Sequence, residues 1–235
     1  MSNATTADVM AVVPAAGQGS RMGLDIPKQY LPLYGSTVLE CTVCRLLAVA
    51  AIQHVVLVTG TEDQLPSALT SDSRLSITIG GATRSQSVFN GLDFLSEQHR
   101  FNGSVLVHDA ARPCVRVAEI ENLIDGVAVS DDGGLLAIPV HDTLKKSDSN
   151  QQVSETVDRT HVWRAVTPQL FKGRLLQAAL VDATRGGLSV TDEASAMELA
   201  GYRPRLVRSS QDNIKITEVG DLPLAETILE SQERE

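Results

Sequence analysis

The chain has 235 residues, of which 43% are hydrophobic and 21% are charged, and its formal net charge is −9. This acidity excludes broad nucleic-acid binding, which relies on many cationic contacts with phosphates, and no apolar run approaches the roughly 18 residues of a membrane span. Met1–Ala7 is neither basic nor apolar, so we expect a disordered leader and no signal peptide. Three cysteines, an odd count, argue against a disulfide framework and predict a cytoplasmic protein.

Short apolar runs alternate along the chain with segments of helical spacing. The predicted strands are Val9–Val13, His54–Thr59, Leu75–Ile79, Ser104–His108, Leu135–Val140 and Arg205–Val207, and the predicted helices are Val38–Ala50, Thr83–Glu97, Ala118–Val129, Phe171–Ala183, Asp192–Ala200 and Leu222–Ser231. Apolar strands without period-two alternation indicate a mostly parallel sheet covered on both faces. We therefore predict an α/β fold, a Rossmann-like three-layer sandwich that forms one domain over residues 8–235.

One segment departs from this pattern. Residues Asp142–Arg159 alternate polar and apolar side chains about the turn-forming sequence SDSN at Ser147–Asn150. The alternation predicts a β-hairpin arm that projects from the sheet. Because a two-stranded ribbon is marginally stable alone, we expect the arm to pack on a partner.

A glycine-rich turn follows the first predicted strand, in VVPAAGQGSRMG (Val12–Gly23). The spacing fails the Walker pattern, and the dinucleotide pattern G-x-G-x-x-G fails at Met22. A tight turn alone would need glycine, but it would not need the cations Arg21 and Lys28 that follow. The segment therefore predicts a site for a small anionic ligand.

The motifs PAAGQGSRM (Pro14–Met22) and PKQYL (Pro27–Leu31) resemble the signature of nucleotidyltransferases, and more narrowly that of the 2-C-methyl-D-erythritol 4-phosphate cytidylyltransferase family. Further motifs occur in the family's order: GGATRSQSV (Gly80–Val88), VHDAARP (Val107–Pro113), TVDR (Thr156–Arg159), AVTPQ (Ala165–Gln169), TDEAS (Thr191–Ser195) and DNIKIT (Asp212–Thr217). The resemblance covers about Val9 to Ala225.

The resemblance implies that a phosphate of a small polyol attacks the α-phosphorus of CTP and releases pyrophosphate. It implies catalytic roles for Arg21, Lys28, Arg159 and Lys215, and substrate contacts from Pro14, Ala15, Ala16, Gly17, Gly19, Gly81, Ala82, Ser87, Asp109, Ala110, Arg112, Thr143, Thr167 and Thr191. Of these, Gly81, Ala82 and Ser87 would form the cytosine pocket. Asp109 would hold Mg²⁺, with Asp212 as a candidate second ligand.

The resemblance also implies a homodimer, in which the arm carries Thr143 and Arg159 into the neighbouring subunit's site. Two alternatives stay open at this point. A ribitol-5-phosphate cytidylyltransferase shares the fold and the loop, and the DNIKIT and arm motifs favour methylerythritol phosphate over it. A regulatory module that binds nucleotide without turnover is the other, and the joint presence of Arg21, Lys28, Asp109, Arg159 and Lys215 argues against it.

Overall fold

The computed structural model describes residues 9–17, 26–63, 65–127 and 129–234. The strands are β1 (Val9–Pro14), β2 (Pro32–Leu33), β3 (Ser36–Thr37), β4 (Ile52–Thr59), β5 (Leu75–Ile79), β6 (Ser104–Val107), β7 (Gly134–Pro139), β8 (Leu144–Ser147), β9 (Val153–Val157), β10 (Trp163–Lys172) and β11 (Arg205–Arg208). The helices are α1 (Val38–Leu47), α2 (Ser67–Thr70), α3 (Arg84–His99), α4 (Val117–Val127), α5 (Gly173–Arg185), α6 (Glu193–Leu199) and α7 (Asp221–Glu233). The predicted leader, Gly19 and Arg21 lie outside the described residues.

Seven strands form one central sheet in the order β11-β7-β10-β6-β1-β4-β5. All neighbours pair in parallel except β10, which runs antiparallel to both β6 and β7. Strands β1, β4 and β6 are almost wholly buried, as their continuous apolar sequences require. The prediction of a mostly parallel α/β sheet is thus confirmed.

Helices cover both faces of this sheet and give three layers. One face packs on the apolar sides of α1 and α4, through residues such as Leu39, Leu46 and Ile120. The other face packs on α3, α5 and α6, and Gly91 of α3 lets that helix approach closely, because a Cβ there would lie 2.6 Å from Val12 Cγ1. Among the described helices, none has both the length and the apolar character to cross a membrane.

The segment predicted as a hairpin arm forms β8 and β9, which pair antiparallel in a two-stranded sheet of their own. Its side chains are mostly exposed, including Val153, which is 63% exposed. The two strands are therefore stabilised by little apolar burial within this chain.

The prediction of a helix from Phe171 is wrong at its start. Residues Trp163–Lys172 form strand β10, and the helix begins at Gly173. The buried part of this strand contains the polar residues Thr167 and Gln169. Because these residues interrupt the apolar run that identifies the other buried strands, the sequence did not predict a strand here.

Candidate active site

A cavity of about 400 Å³ opens at the carboxyl ends of β1 and β6, where ligands bind in open α/β sheets. Its lining residues come from the end of β1 and the loop after it, the short turn Lys28–Tyr30, the start of α3 with the turn before it, the loop after β6 and the segment before α7. They are Pro14, Ala15, Ala16, Gly17, Lys28, Gln29, Gly81, Ala82, Thr83, Arg84, Ser87, Asp109, Ala110, Ala111, Lys215 and Thr217. Three cations and one carboxylate line the described wall, which suits a ligand with several negative charges.

Asp109 stands at the centre of the charged groups and is only 7% exposed. Its Oδ1 accepts a hydrogen bond from Arg84 Nε at 2.9 Å, and its Oδ2 accepts one from Lys215 Nζ at 2.8 Å. Arg112 Nε lies 3.5 Å from Oδ2. Burial alone would raise the pKa of Asp109, but the charges of Arg84 and Lys215 outweigh it and hold the pKa well below its usual range. Asp109 is therefore an anion that is held in place by cations.

Arg84 connects Asp109 with a second buried carboxylate. Its Nη1 and Nη2 donate to the two oxygens of Glu193 at 2.6 and 3.1 Å, while its Nε serves Asp109. Burial would lower the pKa of Arg84, yet the charges of Glu193 and Asp109 raise it. Arg84 therefore stays a cation that joins the start of α3 to the start of α6.

Gln29 fixes the beginning of the glycine-rich loop. It is 3% exposed, and its Nε2 donates to the carbonyl oxygens of Ala15 and Gly17 at 2.7 and 3.0 Å. Lys28, the preceding residue, donates from Nζ to the carbonyl oxygen of Ile216 at 2.9 Å. The short turn Lys28–Tyr30 thus holds the loop and presents a cation at the cavity wall.

The turn before α3 packs directly on the same loop. A Cβ at Gly80 would lie 2.5 Å from Ala16 Cβ and 2.8 Å from Ser87 Oγ, so this position admits only glycine without a shift. Ser87 Oγ accepts from the Gly81 amide at 3.1 Å and donates to the Thr83 carbonyl at 3.0 Å. The helix and its turn therefore form one rigid wall of the cavity.

Beneath Asp109, a buried chain of hydrogen bonds supports its backbone. The hydroxyl of Thr167 accepts from the Asp109 amide at 2.9 Å and pairs with His108 Nδ1 at 3.0 Å, while His108 Nε2 lies 3.1 Å from the Arg112 carbonyl oxygen. Burial lowers the pKa of His108 to about 4, so the ring is neutral at physiological pH. The carbonyl must accept, so Nε2 carries the proton and Nδ1 accepts from the hydroxyl.

The structure brings most of the predicted site residues to this cavity. Those that line it are Pro14, Ala15, Ala16, Gly17, Lys28, Gly81, Ala82, Ser87, Asp109, Ala110 and Lys215. Arg112 lies beside Asp109, where Nη1 donates to the Asn213 carbonyl at 2.8 Å, and Thr167 lies beneath it. Gly19 and Arg21 fall outside the described residues.

Four predicted residues lie elsewhere. Thr143 and Arg159 line a separate cavity at the base of the β8–β9 hairpin. Thr191 and Glu193 line a neighbouring cavity that shares Thr83 and Arg84 with the site cavity. Asp212 forms an ion pair with Arg116 at 2.8 Å and is not part of the cavity wall, so the structure does not bring it to Asp109.

Sequence reasoning missed several residues of the site, among them Gln29, Arg84, Glu193 and Thr217. All four fall inside the motifs that carry the family resemblance, namely PKQYL, GGATRSQSV, TDEAS and DNIKIT. A cation at the first position of a helix was an available signal, because the helix dipole disfavours it there. The burial of Glu193 and Gln29 could not be read from the sequence.

Three comparisons place the chain among known proteins. The family model described as IspD, 2-C-methyl-D-erythritol 4-phosphate cytidylyltransferase, matches residues 9–231. A protein of Haemophilus influenzae (strain 86-028NP) with that enzyme name is 46% identical over 225 residues, which cover 95% of this chain and 97% of the relative. A crystal structure of the Francisella tularensis enzyme is 34% identical with a TM-score of 0.81, covering 94% of this chain and 99% of that one. A crystal structure of a 4-diphosphocytidyl-2C-methyl-D-erythritol synthase is 35% identical with a TM-score of 0.83, covering 95% and 99%.

Proposed function

Because the chain belongs to the 2-C-methyl-D-erythritol 4-phosphate cytidylyltransferase family, we propose that it transfers CMP from CTP to 2-C-methyl-D-erythritol 4-phosphate in isoprenoid precursor biosynthesis. An oxygen of the acceptor phosphate attacks the α-phosphorus of CTP. The bond from that phosphorus to the oxygen bridging to the β-phosphorus breaks, and pyrophosphate leaves with the electron pair. The product is 4-diphosphocytidyl-2-C-methyl-D-erythritol. We further propose one catalytic domain over residues 8–235, since the family match spans 9–231.

The observation that carries this proposal is the cationic wall of the cavity. Lys28, Arg84 and Lys215 face the cavity from three parts of the chain, with Asp109 as the carboxylate among them. Both reactants are polyanions, and charge accumulates on the phosphorus in the transition state. Positioned cations in a partly enclosed cavity reduce the repulsion between the two reactants and stabilise the charge of the transition state. The phosphate monoester is itself the nucleophile, so the protein does not need to supply one.

We propose that the triphosphate and the cytosine of CTP occupy two adjoining parts of the wall. The loop that begins at Ala15 offers backbone N–H groups to phosphate oxygens, and we propose that Gly19 and Arg21 continue it. The Gly81–Ser87 turn lies against this loop and offers fixed backbone groups for the base. Cytosine presents an amino donor where uracil presents an acceptor, so backbone carbonyls in this turn would favour CTP.

We propose that Asp109 holds Mg²⁺ together with phosphate oxygens of CTP. Among the described residues, no group of three or more His, Cys, Asp or Glu side chains could hold a metal. A single buried carboxylate fits Mg²⁺, which keeps several waters and takes one or two carboxylates with substrate phosphates. When bound, the ion would neutralise negative charge on the phosphates of CTP. Lys215, whose Nζ donates to Asp109 Oδ2, would then be able to contact a phosphate group of a substrate instead.

We propose that residues from outside this cavity wall also bind the acceptor phosphate. Arg159 and Thr143 lie at the hairpin base in a separate cavity of the same chain. We propose a homodimer in which the hairpin of one subunit brings both residues to the cavity of the other. The exposed side chain of Val153 and the small apolar burial of the hairpin within its own chain support such packing. We also propose a cytoplasmic location, on the basis of the unpaired cysteines.

Pyrophosphate release tests the proposal. Purified protein is mixed with CTP, Mg²⁺ and either methylerythritol phosphate or ribitol 5-phosphate. We expect turnover with methylerythritol phosphate only, and CTP should exceed UTP by orders of magnitude in kcat/KM. Turnover with ribitol 5-phosphate alone would replace the acceptor, and equal use of UTP would contradict the base pocket. Nucleotide binding without any turnover would favour a regulatory module.

A further inference from the structure

The Arg84–Glu193 ion pair joins two elements that are far apart in sequence. Glu193 is the first residue of α6 and is 1% exposed, whereas Arg84 is the first residue of α3. Their side chains meet through two hydrogen bonds at 2.6 and 3.1 Å. The remaining guanidinium nitrogen of Arg84, Nε, donates to Asp109 Oδ1 at 2.9 Å, so the pair is linked directly to Asp109.

Fold stability alone does not account for this pair. Burying a carboxylate costs several kcal/mol before its partner is counted, and apolar residues of similar volume are often as stabilising as a buried pair. Arg84 also stands at a helix N-terminus, where the dipole disfavours a cation, and the first turn of α3 contains no acidic residue to offset it. A role beside Asp109 gives a reason for both features.

The geometry of the guanidinium makes Glu193 decisive for Asp109. The guanidinium is planar and rigid, so two bonds to Glu193 fix the plane in which Nε can donate. Nε holds Oδ1 of Asp109, and Oδ2 is thereby turned toward Lys215 at 2.8 Å. The orientation of the Asp109 carboxylate in the cavity thus depends on a side chain that does not line that cavity.

We propose that Glu193 is a positioning residue for cytidylyl transfer, which acts through Arg84 to fix the orientation of Asp109. This proposal rests on the proposed function of the cavity. Glu193 touches no substrate; it holds the guanidinium that holds the carboxylate. Its loss should therefore reduce the rate of the chemical step far more than it weakens binding of CTP, which is held mainly by the loop and the base turn.

The kinetic test uses Glu193→Gln, which keeps the shape but removes the charge and turns an amide donor toward the guanidinium. We expect kcat to fall about 100-fold, the order of loss produced by a displacement of about 1 Å at a reacting centre. KM for CTP should change less than about threefold. Asp93→Asn is the matched control: it removes a carboxylate charge that accepts from Gln177 at 3.2 Å, further along α3, and kcat should stay unchanged.

Arg84→Lys separates positioning from charge. Lysine keeps the cation but cannot hold Glu193 and Asp109 in fixed geometry at once, so kcat should fall as in Glu193→Gln. If Glu193→Gln does not fold, the position of the Asp109 carboxylate in Arg84→Lys decides the matter rather than kcat alone, because Arg84 itself lines the cavity. A lowered melting temperature with unchanged kcat of the folded protein would overturn the proposal, and so would full activity of Arg84→Lys.

A crystallographic comparison is independent of the acceptor. In Glu193→Gln or Arg84→Lys, the Asp109 carboxylate should turn away from its wild-type position by about 1 Å. An unmoved carboxylate overturns the positioning role, whatever the substrate is. If the wild type does not turn over CTP with methylerythritol phosphate, the proposed function fails, and the carboxylate position still decides the role of Glu193.

Discussion

Replacing Thr167 by valine should reveal whether its hydroxyl serves the fold or the acceptor. Valine keeps the shape and removes the hydroxyl, which accepts from the Asp109 amide and pairs with His108 Nδ1. Thr167 is 4% exposed and His108 is fully buried, so water has little access to either abandoned group. Leaving a buried donor or acceptor without a partner costs about 1–3 kcal/mol. With two such groups and partial relaxation, we expect Thr167→Val to lower the free energy of unfolding by about 2–4 kcal/mol.

Urea unfolding measures this loss, and Thr167→Ser is the control. Serine keeps the hydroxyl and removes only a methyl group, so its loss should be about 1 kcal/mol. A chain of this size loses about 2–4 °C of melting temperature per kcal/mol, so the two variants differ measurably. The reasoning is refuted if valine destabilises no more than serine while KM for the acceptor rises, because the hydroxyl would then face the substrate.

Four further results follow from the same geometry. Burial lowers the pKa of His108 to about 4, so the neutral ring stabilises the fold fully above pH 6.5 and less as the pH falls toward 4. Between pH 8 and pH 5, the free energy of unfolding of the wild type, measured with urea, should therefore fall by about 2 kcal/mol more than that of His108→Gln. Lys28→Ala should lower kcat far more than it raises KM for CTP, and a change in KM alone would assign Lys28 to ground-state binding. In the proposed homodimer, mixed dimers of Lys28→Ala and Arg159→Ala chains should regain about half of wild-type activity, since one of the two proposed shared sites would be intact; no recovery would leave Arg159 in its own chain's site. Gly91→Ala should lower the free energy of unfolding by about 1 kcal/mol, because the clash of the new Cβ with Val12 of β1 outweighs the gain in helix propensity. The matched variant Gly126→Ala is exposed and its Cβ would have no neighbour closer than 3.8 Å, so it should raise the free energy of unfolding by about 0.5 kcal/mol in the same urea measurement.

The sequence predicted the parallel part of the sheet because β1, β4 and β6 are continuous apolar runs. It did not predict β10, because this strand carries Thr167 and Gln169 in its buried part. Both are satisfied by tertiary partners: the hydroxyl of Thr167 accepts from the Asp109 amide, and Gln169 Oε1 accepts from the Ala194 amide at 2.8 Å. Polar residues in a buried strand break the pattern that identifies strands, and here they do so next to the cavity.

The site was predictable where its residues lie in one short motif, as with Ala15–Gly17 and the Gly81–Ser87 turn. Contacts between distant motifs were not, since no local pattern shows that Arg84 meets Glu193 across 109 positions. Arg159 differs from both groups. Its motif is visible in the sequence, but in a single chain the residue lies at the base of the hairpin and does not line the candidate active-site cavity.

The position of β10 in the sheet bears on how the chain folds during synthesis. In the described sheet, β7 and β11 connect to the other strands only through β10, which is made long after β6. At translation rates of 5–20 residues per second, the 65 positions from Val107 to Lys172 take roughly 3–13 s to be made. During that interval β6 has an open edge of backbone amides and carbonyls, and such edges pair with other strands. A ribosome that stalls between β6 and β10 would therefore hold a nascent chain prone to aggregate, and chaperone binding should peak in that window.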